Sequence, residues 1–345
     1  MRRNVRLVAV LAALSLILPS GLVVSPDRSE ATSRHRPTNG FSPFGLWNTK
    51  LPRNVPLAPN SRAIVDNIKF DKDNNFQVWA FNTHTWSSPI YTVGPFTPRK
   101  RWTFSDCLDL PELAPVIADT LSSVPTPPGM LTSQGTDNTV AIYQPSTDTY
   151  WDFWRAEQDA SGNWSACWGG KIEHYSRNPG IFTNPLGAAA TGLPFGAFLI
   201  RIDELRRGHI DHAINIQTVR VRANCNSWPA NRNDGNTDGA DIACEGQRFR
   251  LDPTFDVNTL RSPAGRTIAR AMQEYGLIMS DKSGSLATQA EDPRPEMARN
   301  GGVNPYQLLI DPNDEIPDDD SYTWAVLADL PVERLQALPL NYGKP

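Results

Sequence analysis

The chain is short of cysteine, short of charge, and lacks the compact signatures of nucleotide or zinc chemistry. Four cysteines in 345 residues are too few for a dense disulfide miniprotein, and no CxxC pair exists to seed a zinc site. Charged residues make up 20% of the chain. The net charge of −4 is mildly acidic, which argues against nucleic acid as a partner, since phosphate contacts need clustered Lys and Arg. No GxGxxG or GxxxxGK[ST] opens a helix and no βαβ alternation is sustained. Nucleotide-binding α/β folds and organic cofactors therefore lack support. Gly-x-Ser-x-Gly and His-Glu-x-x-His are missing too, which removes the motif basis for that type of serine hydrolase and for zincins.

Proline and tryptophan are plentiful, at 30 and 10 residues. Proline suits straps and loop breaks, while so many aromatics need a core or a ligand face and are foreign to disordered chains. Arg2, Arg3 and Arg6 precede an apolar stretch over residues 7–24, and Ser29-Glu30-Ala31 supplies small residues for a cleavage site. Residues 1–31 thus read as a signal peptide, with an uncleaved anchor as the rival reading. Its removal takes four basic and two acidic groups and shifts the net charge from −4 to −6. No later segment is apolar and long enough to span a membrane. We expect a secreted, extracellular protein with a flexible mature N-terminus over 32–45. A single domain follows over 46–345, with a long loop excursion at about 291–322. In an oxidising setting four cysteines predict two disulfides among three possible pairings. Cys225–Cys244, closing a local loop, and Cys107–Cys167, tying an early loop to a strand, are the expected pair.

Strand patterns dominate. Residues 139–143, 149–156 and 164–175, parted by turns at 145–148 and 159–163, read as an antiparallel meander. Further strands are expected at 76–81, 88–93, 209–223, 247–251 and 277–281. Helices are expected at 61–68 with Ser61 as cap, at 111–121, and after Ser262, where Pro263 fits N1 and Gly276 fits C′. The predicted fold is mainly β, a jelly-roll-type antiparallel β-sandwich with a few loop helices.

Three places could carry chemistry. On the strand 149–156, Trp151 and Phe153 face one way, Asp152 and Trp154 the other. With Trp168, these residues are either sandwich core or a sugar platform, where an indole stacks on the ring and Asp152 bonds hydroxyls. Farther along, Ile210, His212, Ile214 and Ile216 share one strand face. His212 is therefore a satisfied core histidine or a general base, with Glu204, Asp211, Glu173 and His174 as candidate partners. Third, residues 234–245 match D-x-[DN]-x-[DN]-G-x5-E, so Asp234, Asn236, Asp238 and Glu245 stand at Ca²⁺-wrapping spacing. Strands rather than helices flank that loop, so an Asx-rich hairpin loop without metal is the plain alternative. Any calcium here would be structural.

Several phrases occur together: Phe44-Gly-Leu-Trp-Asn-Thr, Gln134-Gly-Thr-Asp-Asn, Tyr150-Trp-Asp-Phe-Trp154, Gly187-Ala-Ala-Ala-Thr-Gly-Leu-Pro194, Glu204-Leu-x-x-Gly208 and Ile210-Asp-His-Ala213. Through them the chain resembles a group of secreted actinobacterial β-sandwich-type proteins of unassigned function. The resemblance implies a cell-envelope or extracellular setting and supplies no catalytic residue. The expected function is action on extracellular or cell-wall polysaccharide, as glycoside hydrolase or polysaccharide lyase. A non-catalytic glycan-binding or cell-envelope structural protein is the alternative.

Overall fold

The computed structural model describes residues 38–310 and 326–345. The expected signal peptide, residues 32–37 of the expected flexible segment and residues 311–322 of the expected excursion lie outside the described residues. Where the sequence alternates β-branched and aromatic residues, strands form, and among the described residues they make four sheets. The fold is mainly β.

The largest sheet has six strands, in the order Ala80–Asn82, Ala287–Gln289, Ile214–Thr218, Leu277–Lys282, Arg248–Leu251 and Leu335–Ala337. A four-stranded sheet runs Trp168–Glu173, Thr149–Trp154, Val140–Gln144, Ile90–Thr92. Its first three strands are the expected meander, paired antiparallel. Pairing elsewhere is mixed: Ile214–Thr218 runs parallel to Leu277–Lys282, and Ile90–Thr92 parallel to Val140–Gln144. Parallel neighbours require a crossover rather than a hairpin. Here residues 219–276 make one, and it includes the helix Pro263–Glu274. That helix has the predicted ends. Ser262 Oγ accepts from the Gly265 N–H at 3.2 Å, and Gly276 takes φ 83° beyond the last turn.

Other elements differ from expectation in extent. Ser61 opens a longer helix, Ser61–Asn74, but does not cap it. Its hydroxyl instead accepts the Ala337 N–H at 2.8 Å, tying the helix to the last strand. The expected strand 164–175 breaks at Cys167 into Trp164–Ala166 and Trp168–Glu173, which belong to different sheets. The strand expected over 209–223 is ordered as strand only across Ile214–Thr218.

Period-two alternation distributes the core. Ile214, Ile216, Leu277, Met279, Phe249 and Leu251 pack on one face of the six-stranded sheet. Ala213 and Ile278 point the other way and share a second cluster with Ala141, Tyr150 and Ile172 of the four-stranded sheet. Val140, Ile142, Trp151 and Phe153 cover that sheet's far face together with Trp102 and Trp164. Burying each large side chain of this kind is worth roughly 1.5–3 kcal/mol. Both expected disulfides form, Cys107–Cys167 and Cys225–Cys244. Among the described residues no helix is long and apolar enough to cross a membrane.

Candidate functional site

Ends of the two larger sheets border a cavity of about 1300 Å³. Trp154 and Trp168, register partners on adjacent strands, supply one wall. Each indole is held by its N–H: Trp154 Nε1 donates to Asp137 Oδ1 at 3.4 Å, and Trp168 Nε1 donates to the Pro185 carbonyl at 3.2 Å. The Arg155 guanidinium lies 4.6 Å from the Trp154 ring centroid. A third indole, Trp86, also lines the cavity and is 40% exposed. It lies against Gly135, whose φ is +96°, and a Cβ there would meet the ring at 2.7 Å, so only glycine fits. Gln217 and Gln289 add amides from the six-stranded sheet.

The floor is the segment Ala188 to Ala190, fixed from two directions. Asp152 Oδ1 accepts from the Ala188 N–H at 3.0 Å and Oδ2 accepts from the Phe195 N–H at 3.2 Å. Arg232 donates to the carbonyls of Pro185, Gly187 and Ala189 at 2.6, 2.7 and 2.5 Å. Burial pushes the Asp152 carboxyl up to about 7, against the pull of those hydrogen bonds.

Carboxylates line the same cavity, those of Asp137, Asp234 and Asp281. Asp234, Asp281 and the fully buried Glu245 each offer an oxygen, all within 4.8 Å of one another. Such an all-oxygen group suits a hard cation. Desolvation, then the Asp234 charge, pushes Asp281 up to about 7. Glu245 rises to about 9, through burial first and then its neighbours Asp234 and Asp281. Lys282 Nζ sits 2.8 Å from Asp234 Oδ2.

Asp281 is the residue that strand alternation conceals. Ile216 pairs with Met279 but Gln217 pairs with Asp281, so Ser280 is an extra residue in its strand, a β-bulge. Without the bulge Asp281 would share the core face of Leu277 and Met279. With it, the carboxylate turns to the cavity alongside Gln217.

The residues expected from sequence are redistributed. Trp154 and Trp168 line the cavity, whereas Trp151 faces the opposite core and Asp152 is sealed beneath the floor. His212 and Glu204 do come together, Nε2 to Oε1 at 3.0 Å, but both are fully buried and neither lines the cavity. Asp211 accepts from the Thr38 N–H at 3.1 Å and anchors the start of the described chain. Glu173 is exposed and pairs with Lys171 at 3.1 Å. His174 is exposed, its Nδ1 3.3 Å from Arg177 Nη2. Of the four residues at calcium-loop spacing, Asp234 and Glu245 converge. Asn236 Oδ1 accepts from the Val221 N–H at 3.3 Å, outside the 234–245 loop, and Asp238 is exposed. Trp86, Asp137, Gln217, Arg232, Asp281 and Gln289 are cavity residues that sequence reasoning missed. Comparison of the chain with protein-family models, with characterised proteins and with solved structures finds no match.

Proposed function

We propose that the protein works outside the cell and binds a segment of extracellular or cell-wall polysaccharide in this cavity. One observation carries the reading: three indoles and several carboxylates and amides converge on a single hollow. Sugar rings present apolar faces to indoles and hydroxyls to carboxylates and amides, so this mixture matches their chemistry. The volume of about 1300 Å³ exceeds the roughly 300–1,000 Å³ of small-molecule pockets, which favours an oligomer over a single small ligand. Binding is preferred to cleavage because His212, Glu204, Asp211, Glu173 and His174 all stand off the cavity wall.

Titration calorimetry against a panel of soluble cell-wall polysaccharides tests this. Trp154→Ala should weaken binding about tenfold or more, equivalent to about 1.4 kcal/mol. The exposed, off-cavity change Glu173→Ala should leave it unaltered. Absence of binding across the panel, or indifference to Trp154→Ala, removes the reading. Release of reducing ends or of unsaturated products absorbing at 235 nm would replace the binder with a hydrolase or lyase.

A further inference from the structure

We infer that Asp234, Glu245 and Asp281 hold a calcium ion in the cavity wall, with open coordination positions turned toward the cavity. The three residues come from different places, the two ends of the 234–245 loop and the bulged strand Leu277–Lys282. Each contributes an oxygen within 4.8 Å of the others. Ca²⁺ binds oxygen at 2.3–2.6 Å, so ligands on opposite sides of one ion are ~4.6–5.2 Å apart, and the three oxygens fit a single shell. No sulfur or imidazole is in the group, which disfavours zinc.

A second observation points to an ion. Glu245 is 0% exposed, and its Oε1 has no hydrogen-bond partner among the described residues. Its other oxygen accepts from the Asp234 N–H, at 3.3 Å. A buried carboxylate oxygen without a donor is costly unless a cation meets it. Lys282, the adjacent ammonium, donates to Asp234, at 2.8 Å to Oδ2 and 2.9 Å to the carbonyl. It leaves the Glu245 oxygen to another charge. The Cys225–Cys244 disulfide and the buried backbone around Glu245 hold that carboxylate in place at the back of the site.

Asp234 and Asp281 line the cavity while Glu245 lies behind them. Three protein carboxylates leave several of the 6–8 calcium positions for other oxygens, and Asp234 and Asp281 open those positions to the cavity they line. Resting on the polysaccharide reading, the ion contacts the bound glycan directly, through a vicinal hydroxyl pair or a carboxylate.

The test uses the full chain with both disulfides intact, stripped with EGTA and dialysed. Calcium chloride should raise the thermal midpoint by about 5 °C at saturation, and equilibrium dialysis with radioactive calcium should find one ion per chain. Asp281→Asn and Glu245→Gln should abolish both effects, while Asp238→Ala, altering the exposed loop carboxylate, should preserve them. Asp281 is half-buried, so its isosteric change keeps the test available if Glu245→Gln fails to fold. No bound calcium, retention in Asp281→Asn, loss in Asp238→Ala, or an equal response to magnesium overturns the assignment. These measurements contain no glycan, so they stand apart from the cavity reading. Glycan affinity should then fall at least tenfold in EGTA. An unchanged affinity overturns the contact between ion and glycan.

Discussion

Asp152 has three hydrogen-bond donors around it and no solvent. The Ala188 and Phe195 N–H groups and the Tyr150 hydroxyl all address its carboxyl, yet burial holds it up to about 7. An unfolded aspartate titrates near 3.9. Between about 4 and 7, then, the folded chain keeps a proton that the unfolded chain has lost. This group's contribution to stability falls as pH rises through that window and is level above it, with a slope of at most about 1.4 kcal/mol per pH unit. Asp152→Asn should lack that slope, so the stability of the parent relative to the variant in urea unfolding should fall as pH rises from about 4 to about 7. It should also cost about 1–3 kcal/mol, because the amide nitrogen faces a backbone donor. A variant with the parent's pH profile would falsify the assignment.

His212 is fully buried just before its strand, with a carboxylate for company. Its Nδ1 is 2.8 Å from the Ala213 carbonyl and its Nε2 3.0 Å from Glu204 Oε1, so acceptors face both nitrogens. Burial pulls its pKa down most strongly of any single cause, but Glu204, the Ala213 carbonyl and Asp211 together outweigh it, and the net shift is upward. The pair's stabilisation is present below the unfolded histidine value of about 6.5 and is lost as pH rises through the higher folded value. Glu204→Gln should cost about 3 kcal/mol in chemical denaturation by stranding a buried imidazolium. NMR titration of the His212 ring should give a midpoint above the free value, and one below it would contradict this account.

Elements show which sequence signals survive folding. The helix Pro263–Glu274 was legible residue by residue, because a capping serine, a first-turn proline and a terminal glycine act within a few positions of one another. The meander was legible because turn chemistry and period two are local as well. Strand lengths were less so: residues 209–223 alternate over a longer stretch than the Ile214–Thr218 that finds ladder partners. The bulge at Ser280 left no mark, since nothing in Leu277 to Asp281 signals an extra residue until its pairing with Ile216 and Gln217 is known. Deleting Ser280 should leave Asp281 next to Met279 and still opposite Gln217, so its carboxylate keeps the cavity face in a regular ladder. Losing the bonds that the Ser280 hydroxyl and carbonyl accept from Asn215 and Thr191 should cost about 1–3 kcal/mol, measured by urea unfolding. A deletion within about 0.5 kcal/mol of the parent would show that those bonds contribute little.

Across the whole molecule, two covalent links and one cavity join distant stretches. The disulfides span 60 and 19 residues, and chain-entropy arguments assign them about 4 and about 3 kcal/mol. Replacing Cys107 and Cys167 by serine should lower stability more than replacing Cys225 and Cys244, as read by calorimetry. The reverse order would mean that the 225–244 link serves its loop in another way, as a support for Glu245.

The sequence by itself determined the β-rich class, the ends of one helix and the face on which each meander aromatic lies. All of these depend on neighbours a few residues apart or on the two-residue strand repeat. It did not separate core indoles from cavity indoles. Tertiary structure alone decided that Trp86 meets Trp154 and Trp168, that Arg232 clamps the floor, and that Asp281 joins Asp234 and Glu245. Those meetings unite segments far apart in the chain, and the last depends on one unpaired strand residue that reverses a side chain. Local patterning carries no record of either.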